Sequence, residues 1–240
     1  MPVSTGPQHG RPLPAPGALA MADPFGPRAV LWDLDGTLAD SGKYHWRAWK
    51  EVMGAEGLPL TEAQFLASFG QRNDAILGAW LGEGADPARI RRIGEAKEAL
   101  YRKLVREEGI TPLPGAAEWV RSLHAGGWRQ AIASSAPRLN VEVMHEALKF
   151  DGLIDTLVAA EDVSKGKPDP EVFLSAAHRL GVPPDRCVVV EDAEAGIEAA
   201  RRGGMTSVGV GGGSVGAANV VVHSLAELPP DTFLRLIREL

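Results

Sequence analysis

Two aspartates spaced two positions apart are the clearest candidates for chemistry in this chain. In the segment LWDLDGTLADS, Asp33 follows an apolar run that predicts a buried strand, and Asp35 precedes Gly36, whose backbone freedom permits a sharp turn. Both carboxylates should therefore emerge at the carboxyl end of the strand, where ligands bind in open α/β sheets. An Asx turn with exposed aspartates would give the same letters, so the motif by itself leaves both explanations open.

Three further groups of polar residues each follow an apolar run. Ser134 and Ser135 end the segment AIASS, where hydroxyls and backbone amides can hold phosphate oxygens. Lys167 in GKPDP supplies a cation, and VVVEDAEAG places the acids Glu191 and Asp192 directly after three valines. Taken singly, these groups are explained equally well as a turn, a surface lysine and a helix cap. Their joint order, each at or just beyond the end of a predicted strand, is far more specific.

The elements that must position these residues alternate along most of the chain. Apolar runs predict strands at 29–32, 130–133, 156–159, 187–190, 207–210 and 220–222, and helix-period segments predict helices at 115–125, 138–148, 170–180 and 193–202. Two helix starts are marked by an aspartate before a proline, at Asp86 and Asp169. Alternation of strand and helix predicts an α/β fold with a parallel, doubly wound sheet.

The alternation is interrupted between residues 44 and 108. About four helical stretches follow one another there without a strand-like run, which predicts an inserted α-helical cap domain. We place the cap at 41–111 and the α/β core at 25–40 and 112–240. The longest cap segment, 86–108, carries apolar residues at helical spacing among many charges, as an amphipathic helix does.

The charge and the cysteine content of the chain indicate which classes of binding partner it has. A formal net charge of -6 over 240 residues argues against nucleic acid and anionic membranes, because both are polyanions, and favours a small-molecule substrate. The single cysteine, Cys187, lies in an apolar run, so we expect no internal disulfide and a cytoplasmic protein. No run is apolar enough to span a bilayer. We expect a monomer or a weak homodimer.

Residues 1–24 differ from the rest of the chain. Their first 20 positions are rich in proline and glycine and lack a basic start followed by an apolar stretch, so they predict a disordered tail and no signal peptide. Met21 directly precedes the first organised segment. We therefore expect that synthesis of the natural protein starts there.

The ordered set of DxDGT, serine, Lys-Pro and Glu-Asp motifs resembles the haloacid dehalogenase superfamily. The resemblance runs from about Arg28 nearly to the carboxyl terminus and is closest to the phosphatase and β-phosphoglucomutase branch, which has a helical cap. It implies that Asp33 attacks phosphorus and that Asp35 donates and accepts protons. Ser134 and Ser135 would bind the phosphoryl group, and Lys167 would stabilise it.

The same resemblance implies a magnesium ion. Its ligands would be Asp33, the backbone carbonyl of Asp35 and the carboxylate of Asp192, with Glu191 orienting metal-bound water. The charges explain the need for the ion, since three carboxylates and a phosphate ester confront only Lys167. All these ligands are oxygens, which magnesium prefers, and no histidine or cysteine in the motifs favours zinc.

The cap segments YHWRAWK, FGQRND and AKEALYRKL resemble those of sugar-phosphate enzymes of this branch. The resemblance suggests that His45, Arg72 and Lys97 bind substrate, although charged residues on helices are most often solvated. Arginine and lysine can hold a distal anion, so a hydroxyl-rich or twice-charged substrate would suit these groups. Closure of the cap would exclude water.

Two departures weigh against the mutase subgroup. Ser68 stands where those enzymes usually carry a lysine, and Pro137 with Arg138 follows the serine loop where Lys-Asn is usual. We therefore predict a magnesium-dependent phosphatase acting on small phosphorylated metabolites, sugar phosphates first among them. Arg138 or Arg72 could still hold a distal phosphate, so a β-phosphoglucomutase-type phosphomutase remains the alternative.

Two other classes fit less well. A signalling receiver domain also uses aspartate, lysine and magnesium, but its acidic pair comes first and its phosphorylated aspartate later, and it has no cap. True dehalogenases need neither a second aspartate nor magnesium, whereas this chain has both Asp35 and the acidic pair.

Overall fold

The computed structural model of the chain describes residues 26–68, 71–82, 84–212 and 215–237. The predicted disordered tail at 1–24 and the expected start at Met21 lie outside these ranges. Among the helices within them, none has both the length and the low charge content needed to cross a bilayer.

A six-stranded sheet forms the centre of the molecule. Its strands are β1 (Ala29–Trp32), β2 (Arg129–Ala133), β3 (Thr156–Val158), β4 (Cys187–Glu191), β5 (Thr206–Val210) and β6 (Val220–Val222). All pairs are parallel, in the order β3-β2-β1-β4-β5-β6. Every predicted strand is confirmed with its ends within one residue, and the apolar runs of the central strands β1, β4 and β5 are buried on both faces.

Side chains of β1 alternate between two apolar clusters on opposite faces of the sheet. Val30 and Trp32 belong to one cluster, and Ala29 and Leu31 to the other. Helices α5 (Ala116–Ala125), α6 (Arg138–Leu148) and α9 (Thr232–Leu236) contribute to the first cluster, and α7 (Glu171–Leu180) and α8 (Glu194–Arg202) contribute to the second. Helices on both faces of a parallel sheet confirm the doubly wound α/β fold.

The segment between β1 and α5 is helical. It consists of α1 (Gly42–Ala55), α2 (Glu62–Ser68), α3 (Asn73–Leu81) and α4 (Pro87–Glu108), and the residues described there include no strand. Trp49, Phe65, Ile76 and Ile93 belong to an apolar cluster drawn entirely from these helices. The four helices therefore have a small core of their own.

A helix begins at each of the two aspartate-proline signals, although the second helix begins one residue later than predicted. Asp86 caps α4 by accepting a hydrogen bond from the amide of Ala88, and Pro87 is the first helical residue. At the second signal the helix begins at Glu171, one residue later than predicted. The side chain of Asp169 still accepts a hydrogen bond from the amide of Glu171, at 3.1 Å.

The chain leaves and re-enters the sheet region through two adjacent segments. Ala39 forms an antiparallel bridge with Pro112, and the amide of Leu113 donates to the carbonyl of Leu38 at 2.9 Å. These segments are hydrogen-bonded to each other, so the chain enters and leaves the four helices of 42–108 at one place.

Candidate active site

Lys167 lies between two buried carboxylates from neighbouring strands. Its Nζ atom is 2.6 Å from Oδ1 of Asp33 and 2.5 Å from Oε1 of Glu191. Asp33 follows β1, Glu191 ends β4, and the two strands are paired, with Trp32 opposite Val190. Both acids are buried, at 7% and 1% exposed. The neighbouring carboxylates raise the pKa of Lys167, outweighing its burial, and keep it charged.

Asp192 completes an acidic cluster with Asp33 and Glu191. One carboxylate oxygen from each of the three lies within 4.8 Å of the others. Burial and the negative charge of Glu191 raise the pKa of Asp192 to about 7. Burial, together with Glu191 and Asp192, raises the pKa of Asp33 well above its usual range despite Lys167. One lysine therefore does not neutralise the cluster.

Two glycines allow the acids to approach the backbone. Gly36 has a φ of +88°, and a Cβ placed there would lie 2.0 Å from Oδ2 of Asp192. Gly196, in the first turn of α8, packs against Glu191 in the same way. Since Oε2 of Glu191 accepts a hydrogen bond from the amide of Ala193 at 2.8 Å, both of its oxygens are engaged.

Ser134 follows β2, the other neighbour of β1 in the sheet. The side chain is buried, at 2% exposed, and its Oγ atom accepts a hydrogen bond from the amide of Ala136 at 3.0 Å. Ser134, Ser135, Asp33 and Lys167 all line one cavity. The four sequence signals are therefore brought together at the carboxyl edge of three adjacent strands.

Asp35 is held by contacts separate from the acidic cluster. The hydroxyl of Ser41 donates to its Oδ1 atom, and Nε2 of His45 is 3.3 Å from the same oxygen. Burial raises the pKa of Asp35, but the hydrogen bonds from His45 and Ser41 outweigh burial and hold the pKa below its usual value. Burial and the nearby Lys97 lower the pKa of His45, so the ring is neutral near pH 7.

Lys97 contacts His45 from within the cap, on the side of the ring away from Asp35. Its Nζ atom lies 2.8 Å from Nδ1 of His45 and 2.8 Å from Oε1 of Glu98. The ring of Tyr101 stacks on that of His45 with centroids 4.1 Å apart. Lys97 is only 2% exposed, so it is not the solvated lysine that its helix position would suggest.

Glu98 connects the cap to the α/β core. Its carboxylate accepts hydrogen bonds from Nδ2 of Asn73, at 2.6 Å, and from Nδ2 of Asn140 in the first turn of α6. Nη1 of Arg102 donates to Oδ1 of the same Asn140 at 2.9 Å. These contacts join α3, α4 and α6, and they follow no sequence spacing that could have revealed them.

A cavity of about 860 Å³ lies between the cap and the sheet edge. This volume is in the range of small-molecule sites. Arg72 and Ser68 line it from the cap side, and the Arg72 side chain reaches close to Gly166, beside Lys167. His45, Lys97 and Arg72, the three predicted cap residues, thus all face the cavity that contains Asp33.

Arg138 is placed differently from the sequence prediction. Its guanidinium donates to Asp162, and its amide donates to Oε2 of Glu161 at 2.8 Å. Asp162 also accepts a hydrogen bond from Nη2 of Arg179, at 2.8 Å. Arg138 does not line the cavity, because a carboxylate on the loop after β3 holds it elsewhere. Arg91 and Arg102, which line the cavity from the cap together with Arg72, were missed by the sequence analysis.

The residues of the acidic cluster fit a divalent cation. They offer carboxylate oxygens only, the ligands preferred by magnesium, and burial together with the neighbouring carboxylates raises the pKa of Asp33 and of Asp192. The carboxylate of Asp35 lies outside this cluster, in contact with Ser41 and His45.

Comparisons with known proteins identify the family of this chain. A family model described as haloacid dehalogenase-like hydrolase matches residues 27–204. Fructose-1-phosphate phosphatase of Escherichia coli (strain K12) is 35% identical over 75% of this chain and 95% of that protein. β-Phosphoglucomutase of Bacillus subtilis (strain 168) is 32% identical over 84% of this chain and 91% of that protein.

Solved structures show the same relationship. The crystal structure of β-phosphoglucomutase from Clostridium difficile superposes with a TM-score of 0.80 at 28% identity, covering 89% of this chain and 98% of that one. The family model alone spans more than half of the sequence, and both curated relatives are matched over most of their length. The chain belongs to the haloacid dehalogenase-like hydrolase family.

Proposed function

We propose that this protein is a magnesium-dependent phosphatase that hydrolyses small phosphorylated metabolites, sugar phosphates first among them, through an aspartyl-phosphate. The observation that carries the proposal is the contact of Lys167 with both Asp33 and Glu191, beside Asp192 and at the edge of a substrate-sized cavity. A phosphatase that acts on a sugar phosphate is also among the relatives.

In this proposal Asp33 is the nucleophile. One of its oxygens attacks phosphorus, the bond from phosphorus to the ester oxygen breaks, and Asp35 gives its proton to the departing oxygen. Asp35 then takes a proton from water as the water attacks phosphorus, which releases phosphate and regenerates Asp33. Lys167 and Ser134 hold the phosphoryl group during both steps.

Asp35 has to take up a proton from solvent when the substrate binds. His45 and Ser41 keep the pKa of Asp35 low, so the group is ionised when no phosphate is beside it. A bound phosphate dianion would raise that pKa by repulsion and favour the protonated form. Asp35 is thus a base that becomes an acid when substrate binds.

Magnesium would be held by Asp33, Asp192 and the carbonyl of Asp35, where it would neutralise the phosphate and the cluster. Glu191 would orient the ion's water ligands through its fixed carboxylate. The raised pKa of Asp33 explains why a cation is needed, since the nucleophile must be ionised to attack.

The division into two domains belongs to the same proposal. The α/β core comprises 25–40 and 112–240, and the cap comprises 41–111, with the boundaries beside the bridge of Ala39 and Pro112. We propose that the cap closes over the substrate and that His45, Lys97 and Arg72 contact it or the groups that move its proton. Arg138 is left out of this proposal, because Asp162 binds its guanidinium away from the cavity.

A phosphomutase is the second candidate, and the similarity to β-phosphoglucomutases favours it. Such an enzyme must hold a second phosphate while the first is transferred. Two cavity positions weigh against it, because Ser68 and Pro137 are uncharged. Phosphatase activity therefore remains the preferred function.

The test is a panel of phosphorylated metabolites incubated with the protein and Mg²⁺, or with chelator, followed by assay of released phosphate. Conversion of β-glucose 1-phosphate to glucose 6-phosphate is measured in parallel. Phosphate release that D33N lowers by roughly three orders of magnitude or more supports the proposal. D151N, at an exposed acid that does not line the cavity, is the control. Isomerisation without phosphate release would establish the mutase instead.

A further inference from the structure

Cationic side chains surround the candidate cavity, and they differ in what neutralises them. Among the residues that the structure describes, those lining the cavity are Arg72, Arg91, Lys97, Arg102 and Lys167. Lys167 is paired with two carboxylates and Lys97 with Glu98. Arg72 lies 3.5 Å from Asp74.

Arg102 is partly buried but has a neutral partner. It donates one hydrogen bond, to the amide oxygen of Asn140 at 2.9 Å, and forms no ion pair within the described part of the chain. A guanidinium has five N–H donors, so most of its hydrogen-bonding capacity is left for another group. Arg91 also forms no ion pair there, but it is exposed and no neighbouring side chain holds it.

The position of Arg102 is fixed through Glu98. Carboxylate oxygens only accept hydrogen bonds, so the Nδ2 atom of Asn140 must face Glu98 and its Oδ1 atom must face Arg102. Glu98 is itself held by Asn73 and Lys97. The guanidinium is therefore pre-organised, which reduces the entropy lost when it binds a ligand.

The location of this guanidinium suits the far end of a substrate. Asn140 lies in the first turn of α6, and α6 begins three residues after Ser135 of the phosphate-binding loop. Arg102 comes from α4 in the cap and lines the same cavity as Ser135.

We propose that Arg102 is a specificity-determining residue that binds a second anionic group, phosphate or carboxylate, at the substrate end remote from Asp33. The inference rests on the proposed phosphatase function and deepens it by naming the substrate class as doubly anionic metabolites. Charged partners suit a bidentate arginine better than hydroxyls do.

The test compares substrate pairs that differ in one anionic group. Fructose 1,6-bisphosphate is paired with fructose 6-phosphate, and 6-phosphogluconate with sorbitol 6-phosphate, which separates the phosphate and carboxylate sources. We expect the wild type to favour the doubly anionic member of at least one pair in kcat/KM. R102M should lower kcat/KM for that member by roughly ten-fold to a hundred-fold and leave its partner nearly unchanged.

A binding measurement keeps this inference separate from the proposed activity. In chelator, where no turnover is expected, calorimetric affinities for the same four compounds should show the wild-type preference and its loss in R102M. R91M, at an exposed arginine lining the same cavity, is the matched control and should keep the preference. R102Q replaces R102M if thermal unfolding shows that R102M does not fold.

The outcomes are distinct. Absence of phosphate release from all compounds would refute the phosphatase, while the affinities would still decide the role of Arg102. An equal preference in wild type and R102M, or no preference in either kinetic or binding data, would overturn the inference.

Discussion

A Cβ atom placed on Gly196 would lie 1.9 Å from Oε1 of Glu191. Glu191 cannot move aside easily, because it is 1% exposed and both its oxygens accept hydrogen bonds. We therefore expect G196A to displace the carboxylate from Lys167 and to lower activity by at least about ten-fold, since a 1 Å displacement can cost a factor of about 100.

The matched control is G78A. Gly78 is helical and has open space where its Cβ would be. This substitution should leave activity unchanged and stabilise the helix by roughly 0.5–1 kcal/mol. Phosphate release and thermal unfolding are measured for both variants. Full activity in G196A would show that the position of Glu191 is unimportant.

Removal of Lys167 should destabilise the chain in a metal-dependent manner. K167M leaves Asp33 and Glu191 buried without their cation, and breaking a buried ion pair costs about 3–5 kcal/mol. Mg²⁺ should recover part of that loss, because it supplies positive charge to the same cluster. Denaturant unfolding of wild type and K167M, with Mg²⁺ and with chelator, measures the loss of unfolding free energy and the part that Mg²⁺ recovers. An identical loss in the two conditions would contradict binding of Mg²⁺ beside Lys167.

Mg²⁺ should stabilise the folded protein through Asp192. A ligand at 100 times its Kd stabilises the native state by about 2.7 kcal/mol, so the melting temperature should rise with Mg²⁺ concentration. D192N should lose most of this rise, and D74N should retain it because Asp74 is exposed and outside the cluster. A rise of equal size in D192N would place the metal elsewhere.

The acid stability of the protein should depend on Glu98. Burial raises the pKa of this carboxyl, but Lys97 and His45 outweigh burial and lower it below its usual value. A carboxyl with a lowered folded-state pKa stabilises the native state above its unfolded pKa of about 4.3 and loses that contribution as the pH falls through the folded value.

E98Q should therefore lower the free energy of unfolding at pH 7 by about 1.5–3 kcal/mol, and the difference from wild type should shrink below about pH 4. Denaturant midpoints of both proteins at pH 7, 5 and 3.5 provide the comparison. A difference that stays constant with pH would mean that the charge of Glu98 contributes nothing.

The sequence was sufficient to predict the sheet and the motif residues. The apolar runs before Asp33, Ser134 and Glu191 are short and fully buried, and parallel pairing brings their carboxyl ends to one edge. Their proximity follows from topology alone, so no knowledge of side-chain conformation was needed. The roles of these residues in catalysis remain predictions until they are tested.

Side-chain networks between distant segments could not be predicted in the same way. Arg138 follows the loop of Ser134 and Ser135, but Asp162, 24 residues away, binds its guanidinium and so determines where it lies. Glu98 and Asn140 are 42 residues apart, and polar residues on two helices give no sign that they meet. Gly196 carried a weak signal, because a glycine soon after an acidic pair permits close helix packing.

The apolar cluster of Trp49, Phe65, Ile76 and Ile93 contains no residue from the sheet. Mutations that reshape this part of the cap can therefore accumulate without loosening the strands that carry Asp33 and Glu191. In the proposed function, evolution could in this way change which substrates are bound while conserving one chemical step. The same independence makes these helices a practical place for directed evolution of new substrate preferences.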